Sequence, residues 1–207
     1  MDFFYAINMW IWPIELNKRF LCEEMKAVFI KYRLFVKYLL VVLVSFVFIF
    51  SSYSQHLHLS VGDSLPVFSL HDQDGNLFNS KDYIGKKILV IYFYPKDESA
   101  VCTREACAFR DKYEDFAREG AMVIGINGAS SESHKKFQQD YHLPFILLSD
   151  PGNKVLKEFG VKNKFFLTGR ETFVVGLDGK IQYLYNSFME GSQHAVETLN
   201  FIKSSKR

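Results

Sequence analysis

Two cysteines in the middle of the chain are the residues best suited to chemistry. Cys102 and Cys107 follow the apolar run 87–94, with four residues between them. This run predicts a buried strand and the segment after it predicts a helix, so Cys102 is expected in the first turn of that helix. Free N–H groups and the helix dipole favour a nucleophilic thiolate there. The alternative is a cysteine that packs as a small buried hydrophobe.

A helix terminus alone does not activate a thiol sufficiently. Lowering the pKa of a thiol from about 8.5 to about 6 requires about 3.4 kcal/mol. A helix N-terminus contributes about 0.3–2 kcal/mol of this, so hydrogen bonds or a cation, worth about 1.5–3 kcal/mol each, must supply the rest. Ser99 is close enough in sequence to donate one bond. Arg170 precedes a later predicted strand that can lie beside the strand leading to Cys102, which makes it the candidate cation.

Alternating strands and helices position these residues. The patterns predict strands at 67–70, 77–78, 87–94, 121–126, 145–149, 172–176 and 180–185, and helices at 101–119, 131–141, 153–159 and 193–203. This order predicts an α/β fold, a thioredoxin-like three-layer sandwich with a mixed central sheet and helices on both faces. Catalytic groups in open sheets gather at the carboxyl ends of strands, which is where Cys102 falls.

The first 54 residues predict a signal peptide. An apolar run at 39–50 follows several cations and precedes Ser52-Tyr53-Ser54, a small-x-small cleavage pattern. The run is shorter than the roughly 18 residues that span a bilayer. We expect cleavage before Gln55, which would leave an exported domain, 55–207, that is not embedded in the membrane. One alternative is an uncleaved anchor at 38–50. We also favour a translation start at Met25, because the cationic segment before the apolar run then has the normal length of a signal peptide. Such a start would leave Cys22 out of the protein.

Composition and charge exclude several other classes. The 207 residues are 48% hydrophobic with three cysteines, which excludes collagen, low-complexity disorder and a disulfide-stapled miniprotein. Residues 55–207 carry 19 cationic and 19 anionic side chains, so no nucleic-acid partner is expected. The six histidines show no metal-ligand spacing, so we expect no metal site.

The segment around Cys102 resembles the peroxiredoxins, specifically the bacterioferritin-comigratory or Q type. The residues that carry the resemblance are Phe93-Tyr94-Pro95-Lys96-Asp97, Ser99, Cys102-Thr103, Glu105-Ala106-Cys107 and Phe109-Arg110-Asp111. It continues through 134–137, 143–145, 148–150 and 169–173 and so covers nearly all of the predicted mature domain.

This resemblance implies a thiol peroxidase without a metal or organic cofactor. It implies that Cys102 attacks the O–O bond of a peroxide and becomes a sulfenic acid, and that Cys107 is the resolving thiol. Ser99 and Arg170 would activate the thiolate and polarise the peroxide, and Pro95 would shield the site from water. The implied substrates are hydrogen peroxide and organic hydroperoxides, and the implied reductant is a thioredoxin-like protein. A monomer is expected.

Two positions depart from the pattern of that family. Ser99 replaces the usual Thr, which keeps the hydroxyl but loses a methyl group that restrains its rotamer, and Ala100-Val101 replaces the usual Pro-Gly. Two other functions remain as alternatives. A thiol–disulfide oxidoreductase is disfavoured because such enzymes use Cys-x-x-Cys, and a copper-binding thioredoxin-like module needs a closely spaced Cys pair with a His on a loop.

Helix geometry adds an expectation about the two thiols. Five residues on an intact helix separate Cα atoms by about 8–9 Å, whereas a disulfide requires less than about 7 Å. Joining Cys102 to Cys107 should therefore unwind the start of the helix.

Overall fold

The computed structural model describes residue 26 and residues 31–42, 58–163 and 168–205. The chain divides into two units, Met1–Gln55 and His56–Arg207. In the first unit, residues 31–42 are helical and their side chains are mostly exposed. Among the described residues, no helix has both the length and the apolar character that a membrane span requires. The predicted cleavage site before Gln55 and most of the apolar run lie outside the described residues.

Seven strands in the second unit form one mixed sheet. They are β1 (Ser69–Asp72), β2 (Leu77–Asn79), β3 (Ile88–Phe93), β4 (Ala121–Asn127), β5 (Ile146–Ser149), β6 (Glu171–Val175) and β7 (Ile181–Tyr185). Their order across the sheet is β2-β1-β5-β4-β3-β6-β7. The central strands β3, β4 and β5 are parallel, and the outer strands pair antiparallel with their neighbours. The predicted mixed sheet is therefore confirmed.

Within the described part of this unit, the strands are accompanied by a short 3-10 helix, Ser80–Asp82, and by five α-helices: α1 (Ala100–Asp111), α2 (Tyr113–Arg118), α3 (Ser131–Tyr141), α4 (Lys154–Glu158) and α5 (Gly191–Ser205). The prediction of one helix over 101–119 is wrong, because Lys112 leaves helical geometry with φ −108° and ψ 7° and separates α1 from α2. Phe109 and Phe116, on either side of the break, are both fully buried with ring centroids 5.8 Å apart. A straight helix separates such positions by about 10.5 Å along its axis, so the bend favours their contact.

Two apolar cores cover the two faces of the sheet. Alternate residues of β3 divide between them, since Tyr92 packs in the core with α1 and α5 while Phe93 packs in the core with α4. Gly125 on β4 is needed beside Tyr92, because an added Cβ would lie 2.7 Å from the tyrosine ring and from a methyl group of Leu147. The sheet is thus buried on both faces, as the apolar runs predict.

A buried carboxylate fixes the loop between β3 and α1. Asp97 accepts hydrogen bonds from Tyr94 (2.8 Å) and Asn127 (2.8 Å), and from Ser133 (2.6 Å) and His134 (3.0 Å) of α3. Burial raises the pKa of Asp97, but the bonds from His134, Ser133 and Tyr94 outweigh it and leave the pKa below its ordinary value. The charged side chain therefore ties this loop to β4 and α3.

Tyr94 and Tyr92 provide a matched test of the hydrogen bond from Tyr94 to Asp97. Tyr94→Phe should lower the free energy of unfolding by about 1.5–3 kcal/mol, because the hydroxyl donates to a buried charged carboxylate. Tyr92→Phe should leave the stability unchanged or raise it, because the buried Tyr92 hydroxyl has no hydrogen-bond partner among the described residues. Urea denaturation of both variants measures the difference, and equal losses would contradict this account of the loop.

Candidate active site

Cys102 lies in the first turn of α1, as the sequence predicts. The helix begins at Ala100 after Ser99, and the Thr103 N–H donates to the Ser99 carbonyl at 2.8 Å. The Cys102 side chain is only 1% exposed. Glu98, just before the helix, has a left-handed backbone with φ 57°. The chain thus turns sharply just before α1, and the Cys102 thiol is buried in the interior of the protein.

Strand pairing brings Arg170 to this thiol. β6 runs antiparallel to β3 with Glu171 opposite Phe93, so Arg170, one residue before β6, lies beside the end of β3. Its Nη2 donates to Cys102 Sγ at 3.1 Å and its Nε donates to the Phe188 carbonyl at 3.1 Å. The predicted pairing of a cation with the sulfur is therefore present in the structure.

Glu105 occupies the remaining side of the guanidinium. It lies three residues after Cys102 and therefore on the same face of α1, and its Oε2 forms an ion pair with Arg170 Nη1. The other oxygen, Oε1, is buried without a hydrogen-bond partner and lies 3.4 Å from Nδ1 of His194. Three acceptors, a sulfur, a carboxylate and a carbonyl, thus hold the guanidinium in one orientation.

His194 of α5 is buried on the far side of Glu105. Its Nε2 lies 2.9 Å from the Ser187 carbonyl and therefore carries a proton, while its Nδ1 lies 2.7 Å from the Thr172 hydroxyl. Burial and, less strongly, the positive charge of Arg170 outweigh the opposing bond to Ser187 and lower the pKa of His194 to about 4. The imidazole is therefore neutral at pH 7, and its Nδ1 accepts from Thr172.

The other predicted site residues surround this cluster less directly. The Ser99 hydroxyl donates to the Lys96 carbonyl at 3.3 Å, so the structure does not bring it to the sulfur of Cys102. Pro95 is half-buried in the loop after β3. Cys107 is half-buried on the same helix as Cys102, and both thiols are free.

Sequence reasoning missed two members of the cluster. Glu105 stands within the motif around Cys102, and its spacing of three residues from that cysteine is the signal that places both on one helix face. His194 carries no such signal, since Glu105 and Thr172, which it contacts, lie 89 and 22 positions away in the chain.

A buried sulfur beside a guanidinium can be held as a thiolate, and the same N–H groups can bind a developing negative oxygen.

Comparisons with known proteins identify the family of the chain. The AhpC/TSA family matches residues 61–184. Peroxiredoxin Q, chloroplastic, from Sedum lineare is 50% identical over 147 residues, which are 70% of this chain and 78% of that protein. The corresponding protein from Arabidopsis thaliana is 49% identical over 146 residues, 70% of this chain and 67% of that protein.

Solved structures give the same result. The peroxidoxin BcpB of Mycobacterium tuberculosis is 31% identical with a TM-score of 0.67, covering 71% of this chain and 98% of that one. The bacterioferritin comigratory protein of Xanthomonas campestris, studied for its alkyl peroxide reduction activity, is 25% identical with a TM-score of 0.64, covering 70% of this chain and 100% of that one.

These likenesses confirm the predicted thioredoxin-like architecture and do not favour a disulfide oxidoreductase or a copper-binding module. The extent of the family match and the identity to the plant proteins decide the classification. The chain belongs to the AhpC/TSA family and, within it, to the peroxiredoxins of the Q type.

Proposed function

We propose that Cys102 is the residue with which this thiol-dependent peroxidase reduces hydrogen peroxide and small organic hydroperoxides. The observation that carries the proposal is the Arg170 N–H that donates to the buried Cys102 sulfur at 3.1 Å, in the first turn of α1. The guanidinium and the helix terminus both stabilise negative charge on that sulfur.

The chemistry begins with attack of the Cys102 thiolate on the terminal peroxide oxygen. The S–O bond forms as the O–O bond breaks, Cys102 becomes a sulfenic acid, and the leaving oxygen takes up a proton to give water or an alcohol. Arg170 donates to the oxygen on which charge develops. The Ser99 hydroxyl leaves the Lys96 carbonyl to add a second donor, and Pro95 excludes water.

Cys107 then condenses with the sulfenic acid, which forms a disulfide and releases water. Both thiols belong to one helix, so the reaction needs no second copy of the chain and a monomer suffices. The Cα spacing of about 8–9 Å on an intact helix exceeds the disulfide limit, so α1 unwinds in this step. A thioredoxin-like dithiol reduces the disulfide and restores the helix.

A stopped-flow reaction of the reduced protein with a slight excess of hydrogen peroxide tests these roles. In a Cys22→Ser background, two thiols should be lost rapidly, and the circular dichroism at 222 nm should decrease with the second step because the helix unwinds. Cys107→Ser should lose one thiol, stop at a trappable sulfenic acid and keep its helical signal.

Cys102→Ser is the matched control for that experiment. It retains Cys107 on the same helix and should react no faster than a free thiol. Rapid thiol loss in Cys102→Ser would assign the peroxide chemistry to another residue. Equal helical signals in the reduced and disulfide forms would refute the unwinding step.

We also propose that residues 1–54 form a targeting segment that is removed before Gln55. The support is the apolar run at 39–50 with cations before it and small residues after it, together with relatives that are named as chloroplastic. Export across a membrane is the form of targeting favoured by the run. N-terminal sequencing of the protein isolated from its own cells should begin at Gln55, and an intact N-terminus would support a retained anchor at 38–50.

A further inference from the structure

Glu105 and His194, two buried groups of the active-site cluster, face each other with no proton between them. Glu105 Oε1 is buried without a hydrogen-bond partner and faces His194 Nδ1 at 3.4 Å. Nδ1 of the neutral imidazole carries no proton, because the ring proton is on Nε2 against Ser187, and its lone pair accepts from the Thr172 hydroxyl at 2.7 Å. Two acceptors therefore face each other in a buried site. A proton on either atom would convert this unfavourable contact into a hydrogen bond once the Thr172 hydroxyl rotates away from the Nδ1 lone pair.

The charge of the cluster changes when Cys102 ionises. The exposed fractions are 1% for Cys102, 0% for Glu105, 3% for Arg170 and 0% for His194. With a neutral thiol, the positive Arg170 and the negative Glu105 cancel. A thiolate leaves the cluster with a net charge of −1, and buried net charge carries a large desolvation cost. One added proton on Glu105 or His194 restores neutrality.

Among the residues that the structure describes, no other group that faces His194 offers such compensation. The ring of Tyr185 on β7 contacts it edge-on at 4.7 Å between centroids, and burial raises the pKa of Tyr185, so this side chain is neutral. The group on β6 that contacts His194 is the uncharged hydroxyl of Thr172. Glu171, next along β6, pairs with His58 instead. The charged groups next to the imidazole are therefore Glu105 and, beyond it, Arg170.

We infer that Glu105 and His194 form a proton-holding pair that takes up one proton when Cys102 becomes a thiolate and loses it when the sulfur becomes neutral again. The inference rests on the proposed role of Cys102. The protons balance: the thiol loses one and the pair gains one, the thiolate then breaks the O–O bond, and the leaving oxygen is protonated as the pair returns to its first state. The sum is one thiol and one hydroperoxide converted to one sulfenic acid and one alcohol.

The pair acts through Arg170 and does not itself touch the sulfur, so both members are positioning residues. Their protonation removes the negative charge that otherwise offsets the guanidinium beside Cys102. The full charge of Arg170 is then available to the thiolate, which is the state that attacks peroxide.

Nuclear magnetic resonance of the full chain tests the pair without any peroxide. Cys102→Asp places a carboxylate where the thiolate would be, and Cys102→Ser places a neutral hydroxyl there. With ¹³C-labelled His and Glu, the His194 ring and Glu105 carboxyl signals should change together with pH. Their midpoint should lie at least one pH unit higher in Cys102→Asp than in Cys102→Ser. Equal midpoints would overturn the inference.

A second measurement covers the case in which Cys102→Asp does not fold. His194→Gln keeps a donor for Ser187 but has no Nδ1, and the exposed His71→Asn is the matched control. Thiolate absorbance at 240 nm should appear at higher pH in His194→Gln, and its reaction with peroxide at pH 7 should slow about tenfold, while His71→Asn behaves as wild type. An unchanged thiolate titration in His194→Gln would overturn the inference. Peroxide reactivity that persists in Cys102→Ser would instead overturn the proposed role of Cys102.

Discussion

The hydrogen bond from the Arg170 guanidinium to Cys102 is the interaction on which the candidate active site depends. Cys102 is 1% exposed, so a thiolate there would lose its hydration and the protein would have to supply the stabilisation that water gives. Arg170 supplies it with an N–H directed at Sγ. Its Nη1 pairs with Glu105 and its Nε donates to the Phe188 carbonyl. The fork is therefore held in place before substrate arrives, and no reorientation is needed when charge develops.

The order of strands in the sheet makes the contact between Arg170 and Cys102 possible. Arg170 reaches Cys102 because β6 pairs antiparallel with β3 and brings the start of one strand to the end of the other. The loop that follows β3 is fixed separately, by the bonds that Asp97 accepts from β4 and α3. The proposed unwinding of α1 during disulfide formation would thereby be confined to residues after Asp97. The fold thus holds both the cation and the loop in place on either side of the helix start that the proposed disulfide would open.

Much of this arrangement follows from the sequence, because its signals are local. The buried run 87–94, the helix after it and the hairpin before α5 each have their own apolar pattern or turn residues. The position of Cys102 at the start of α1 follows from these alone, and Arg170 follows from the possible neighbours of its strand. Apolar periodicity does not detect the break at Lys112, since the residues on both sides keep one helical face.

Contacts between distant polar side chains are less predictable. Ser99 lies near Cys102 in sequence, but the hydroxyl turns to Lys96 because a short side chain before a helix readily bonds to nearby backbone. The partnership of Glu105 with His194 depends on how α5 packs against α1, which no local pattern encodes. The sequence therefore locates the proposed nucleophile Cys102 and the cation Arg170 beside it, while the structure is needed to identify the groups that would set the charge around them.

The most direct test of the central claim is the rate of the reaction between hydrogen peroxide and Cys102 in Arg170→Lys. Lysine keeps the positive charge but loses the planar fork that contacts the sulfur, Glu105 and the Phe188 carbonyl together. If the fork holds the thiolate and the developing oxygen anion, the second-order rate constant should fall by about 100-fold, the equivalent of one or two charge-assisted hydrogen bonds. A rate constant equal to that of wild type would contradict the account.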